Sequence, residues 1–174
     1  MARGCAIWMA VLGLVLGSLV MGGCALYMNY PPLEGDTSIN NPNISPMPEV
    51  VEIGLLEVTK RYPVGGAYVV NLPKGTSRDT GEWVREGLGG SARLVGDVDA
   101  EGLPVFHVTR VWIRGNKARV EVLAPDVNGA ARGVVVEMGT TGIGEWRVSR
   151  VRTLASGAVA EPELYGWAAS GEAR

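Results

Sequence analysis

Residues 105–123 form two alternating stretches around one tight turn, and that pattern leaves this part of the chain little local freedom. Val105–Arg114 and Lys117–Leu123 flank Gly115-Asn116, a pair that accepts left-handed backbone and so predicts a two-residue β-hairpin. With Arg114 opposite Lys117, each step outward fixes another pair: Ile113 with Ala118, Val111 with Val120, Thr109 with Val122. These residues make an apolar face, with His107 expected at its far end. The opposite face pairs Trp112 with Arg119 and Arg110 with Glu121. A cation over an indole and an opposite-charge pair each contribute about 0.2–1 kcal/mol across a sheet.

Two further strands are expected at Arg132–Met138 and Glu145–Thr153. In the second, Trp146, Val148 and Val151 break strict alternation, and a bulge near Ser149-Arg150 reconciles them. Upstream the period changes. Val51, Leu55, Val58 and Tyr62 recur at helical spacing, which predicts a helix from Pro48 to Tyr62. Lys60 and Arg61 suit its C-terminal dipole, and Pro63 with Gly65-Gly66 ends it. Ala67–Leu72 reads as a short strand. Thr76-x-x-Asp79 has the form of a capping box opening a second helix, which places Trp83, Val84 and Leu88 on one side. Helix, strand, helix and a terminal meander predict an α+β domain over residues 48–154. Its two helices pack on an antiparallel, mostly meander sheet. Residues 155–174 are small and polar, as in a flexible tail.

The N-terminus has another composition. After Arg3 the chain is apolar or small from Ala6 to Val20, and Met21-Gly22-Gly23-Cys24 follows. A run of about 15–18 residues falls short of the ~20 that span a bilayer comfortably. The segment resembles the lipobox of bacterial lipoproteins, roughly Leu-(Ala/Ser/Thr/Val)-(Gly/Ala)-Cys. Gly23 fits the last position well and Gly22 is acceptable, while Met21 replaces the usual Leu with another large apolar residue. The resemblance covers residues 1–24. It implies a signal peptide over 1–23, cleavage before Cys24, and lipid on the Cys24 sulfur that makes the bilayer a partner. At about 0.8 kcal/mol per buried CH₂, two or three acyl chains hold a protein for practical purposes permanently. Ala25, where Asp would mark inner-membrane retention, favours the outer membrane, with the body facing the periplasm. An uncleaved transmembrane helix and an ordinary secretory signal are the alternatives at this point.

Residues 24–47 are dense in Pro, Asn and Ser without a period, which predicts a flexible linker. Such a coil spans roughly 25–30 Å and would let the domain stand off the bilayer.

Charge narrows the function. The chain carries 16 Lys+Arg and 18 Asp+Glu, a net −2, and removal of Arg3 with the signal leaves −3. That argues against a nucleic-acid partner and against a polybasic membrane binder. Cys5 would leave with the signal, so Cys24 would have no partner for an intrachain disulfide.

Few residues offer chemistry. His107 is the only histidine, and no nucleophile motif adjoins it. It is either a hydrogen-bonded core residue or, with Trp146, part of a pocket in which it serves as a base. A metal site lacks a second His or Cys. Asp97-x-Asp99-x-Glu101-Gly102 resembles the opening of a calcium loop, but Val108 stands where the twelfth-position Glu belongs. An acidic solvated turn is the simpler account. Arg147, Arg150 and Arg152 could receive an anion or pair with Glu137 and Glu145. No cofactor or catalytic set is expected. The balance therefore favours a membrane-anchored envelope lipoprotein that binds or scaffolds without catalysis. The alternatives are a small hydrolase or isomerase using His107, or a solute-binding lipoprotein. The element order also resembles nuclear-transport-factor-like α+β cone folds, through an early helix and a last strand bearing Trp and Val. Members of that superfamily range from enzymes to binding domains, so the likeness implies no activity.

Overall fold

The computed structural model describes residues 26–35, 37–125, 131–141, 144–154 and 162–166. Residues 1–24, the segment that resembles a lipobox, lie outside them. The elements run β1 (Tyr27–Tyr30), α1 (Met47–Arg61), β2 (Tyr68–Asn71), α2 (Arg78–Leu88), β3 (Ala92–Leu94), β4 (Val105–Arg114), β5 (Lys117–Pro125), β6 (Ala131–Gly139) and β7 (Arg147–Thr153). This is an α+β fold: two helices and one seven-stranded sheet among the described residues.

The strands lie in the order β3-β2-β4-β5-β6-β7. β4 is long enough to take β2 along its first half and β1 along its second. From β4 to β7 the sheet is the expected antiparallel meander. Its other side is parallel, β3 with β2 and β2 with β4. The cause is α2: a strand that leaves through a helix returns parallel to itself.

Residues 24–47 are not a free linker over their described part. Met28 is fully buried, and β1 pairs Tyr27 with Arg114 and Met28 with Ile113. The Leu26 carbonyl accepts from the Gly115 amide at 2.8 Å, and Asn29 and Tyr27 exchange backbone bonds with Ile39. Four residues, Tyr-Met-Asn-Tyr, suffice here because alternation puts Met28 and Tyr30 into the core.

α1 lies across the sheet and buries Met47, Val50, Val51, Leu55 and Val58. It can approach because residue 54 is glycine: a Cβ there would sit 3.0 Å from Val120 Cβ. α2 starts one residue later than its sequence suggests. Ser77, not Thr76, is the N-cap, accepting from the Thr80 amide. Thr76 instead donates to the Pro73 carbonyl at 2.6 Å. Val84 and Leu88 are buried as expected, whereas Trp83 is 45% exposed.

The hairpin register holds from Arg114–Lys117 to Arg110–Glu121 and then slips. Thr109 is an extra residue, and its hydroxyl donates to the Glu121 carbonyl at 3.1 Å. Val108 consequently faces Val122, and His107 faces Leu123. The bulge turns His107 to the face opposite Val111 and Ile113. A second bulge falls at Ser149, where the alternation of β7 required one.

Candidate functional site

The helices cover one face of the sheet, and the bulge at Thr109 divides the other into a closed end and an open end. At the closed end Val69, Leu123 and Val135 are buried although they lie outside the helix-packed cluster. His107 and Asn71 sit side by side there as a β4–β2 pair. Asn71 Oδ1 accepts from the Tyr165 amide at 3.0 Å, and Nδ2 donates to the Glu163 carbonyl at 2.9 Å. Those bonds fix the orientation of the amide, so the second Nδ2 hydrogen points at His107 Nδ1, 3.0 Å away. Nδ1 therefore accepts, and the imidazole carries its hydrogen on Nε2. The described part of the expected tail is thus bound as a short strap across Asn71. Burial pushes the Tyr30 phenol above its ordinary value, and neighbouring Tyr165 adds to the rise while a bond from the Lys74 amide opposes it.

His107 and Trp146 do not share a pocket. Trp146 adjoins Arg147, whose row runs through Gly139 and Lys117 to Arg114. His107 is seven residues back along β4, about 24 Å at the usual rise of a strand. Trp146 packs against the core instead. The acidic turn does not converge either. Asp97 Oδ2 accepts from the Leu94 amide at 2.8 Å, and Asp99 pairs with Arg93 Nε at 2.6 Å. That guanidinium holds the Asp99 carboxyl below its ordinary range. Among the described residues no three His, Cys, Asp or Glu side chains group to hold a metal.

The open end is a groove of about 1320 Å³. Charge on this face of the sheet is arranged in rows across the strands. One row holds Trp112, Arg119, Glu137 and Arg150, and the next Arg110, Glu121, Val135 and Arg152. These rows are largely compensated: Arg119 pairs with Glu121 at 2.8 Å, and Arg152 with Glu137. Of the three arginines in β7, only Arg152 makes an ion pair among the described residues.

The row at the hairpin end is different. It runs Tyr27, Arg114, Lys117, Gly139, Arg147 and contains no carboxylate. Like charges directly opposite cost stability, and neither Lys117 nor Arg147 has an ion pair among the described residues. Arg114 is stacked 4.7 Å from the Tyr27 ring and 5.2 Å from the Trp112 ring. Arg114 Nη2 also donates to the Tyr27 hydroxyl at 3.2 Å, which fixes the guanidinium and leaves its other N–H groups able to meet an oxyanion. Arg110 opposite Glu121 and Trp112 opposite Arg119 stand as expected, whereas this row was not expected. Its signal was available: Arg114 opposite Lys117 follows from the hairpin turn alone. Tyr27 came from β1, whose pairing the sequence did not reveal, and Arg147 from the register of β7 across Gly139.

The arrangement defines an α+β domain with one helix-covered face and one open face that is cationic and aromatic at the hairpin end. The chain matches no known protein-family model, no curated protein and no solved structure. No helix among the described residues is long and apolar enough to cross a membrane.

Proposed function

We propose that this protein is an envelope lipoprotein, anchored through lipid on Cys24, and that its body is a non-catalytic binding module working through the open sheet face. The observation that carries the binding role is the uncompensated row Arg114–Lys117–Arg147 beside the stacked Tyr27 and Trp112. Arg114 and Lys117 stand directly opposite one another, a like-charge pair that costs stability and that a bound anion would relieve. Against a hydrolase stands the burial of His107, which is 3% exposed in a closed interior beside Asn71. The Met21-Gly22-Gly23-Cys24 segment supports the anchor.

The anchor is tested by growing cells that make the protein with an alkyne fatty acid. The protein should take up the label, and Cys24→Ala should abolish it. Absence of label from the wild type, or its persistence in the variant, overturns the proposal.

A further inference from the structure

The distance from Cys24 to the sheet decides where the open face must sit. Ala25 is the one residue between Cys24 and Leu26, and the Leu26 carbonyl is bonded to the Gly115 amide at the hairpin turn. Two residue steps of extended chain reach about 7 Å at most. The next residue, Tyr27, already belongs to β1 and stands opposite Arg114. The long tether expected from composition is therefore absent at this end: β1 consumes it.

Granting the lipid on Cys24, its Cα lies within about 7 Å of that of Leu26, only the side chain and its thioether-linked glycerol separate it from the acyl chains, and the hairpin end of the sheet faces the headgroups. The side chains there are Tyr27, Arg114, Lys117 and Arg147, ranged over about 19 Å at the usual strand spacing. Tyr and Trp suit the membrane interface, and each Lys or Arg near an anionic surface is attracted to it. The net charge of −2 hides this, because the surplus cations are gathered on one row.

We infer that the row Arg114–Lys117–Arg147 docks on the phosphates of anionic phospholipids in the leaflet that holds the anchor, seating the domain hairpin-down on the bilayer. This inference rests on the proposed anchor. The hydrocarbon supplies the holding strength, and the row supplies orientation and a preference for anionic lipid. Attraction of about 1 kcal/mol per cation is about fivefold each, so three together favour the seated orientation on the order of a hundredfold.

The test uses the full protein reconstituted into vesicles that carry a lipid-borne quencher, with a fluorescent amino acid placed at Asn116 or at Ser91. Asn116 is at the hairpin turn, and Ser91 precedes β3 at the opposite end of the sheet. In vesicles of phosphatidylcholine with phosphatidylglycerol, the Asn116 probe should be quenched and the Ser91 probe spared. Phosphatidylcholine alone, high salt, or the pair Lys117→Glu with Arg147→Glu should narrow the difference to what the short tether alone gives. Both of those side chains are solvent-exposed, so the variant folds with its core unaltered. Equal quenching at both sites, or quenching indifferent to phosphatidylglycerol, in a protein whose mass shows lipid on Cys24 overturns the docking and leaves the anchor standing. A mass showing bare Cys24 overturns both.

Discussion

Asn71 and His107 are joined by a 3.0 Å hydrogen bond inside the sheet, and the same Asn71 amide grips the backbone of Glu163 and Tyr165. One side chain thereby satisfies three partners from β4 and the C-terminal strap. Alanine at residue 71 removes all three bonds, and Asn71→Ala should lower unfolding free energy by about 2–4 kcal/mol. Urea denaturation measures the loss. Limited proteolysis should show cleavage near residues 162–166 before the rest of the body is cut. Unchanged stability would mean that the strap contributes nothing.

β1 gives the sharpest separation between a tether and a structural strand. Met28 is fully buried against the core, so Met28→Ala should cost about 2–5 kcal/mol. A free linker would tolerate the change without effect. Thermal unfolding of the purified body decides between them.

Gly54 lets α1 lie close to β5. Gly54→Ala gains about 1 kcal/mol of helix propensity, but its methyl would meet Val120 at 3.0–3.2 Å. A β-branched side chain on an inner strand has little room to yield. The net effect should be destabilising by about 1–2 kcal/mol, reduced in a Val120→Ala background. A double-mutant cycle in urea reads the coupling.

Glu52 gives a pH dependence of definite sign. Burial, and then the neighbouring Glu49, raise its carboxyl above the ordinary value of 4.5 in the folded state. The folded chain therefore holds this proton to higher pH than the unfolded chain does. The charged form is penalised at neutral pH, and the penalty disappears as pH falls through the folded value towards 4.5. Glu52→Gln should accordingly raise the melting temperature at pH 7 and lose that advantage in acid. An advantage that grew in acid would reverse the assignment.

Much of the fold was legible where one period ran long enough. The stripe of α1, the turn at Gly115-Asn116 and the broken alternation of β7 each gave an element within a residue or two of its observed bounds. What escaped was short or non-local. β1 and β3 have four and three residues, too few for a period, and both owe their existence to partners distant in sequence. The bulge at Thr109 left no mark in composition: Val108 and Thr109 are both plausible inward residues, and a shift of one reversed the face given to His107. The expected pocket of His107 and Trp146 failed for that reason and because the two lie at opposite ends of the sheet. The cationic row was half legible, since the turn alone sets Arg114 against Lys117, whereas its length depends on β1 and β7.

The anchored module is tested most directly by intact mass spectrometry of the native protein extracted from membranes. A polypeptide beginning at Cys24, heavier than its sequence by a diacylglycerol and an acyl group, is the predicted result. A chain that begins at Met1, or an unmodified sulfur at residue 24, would contradict it.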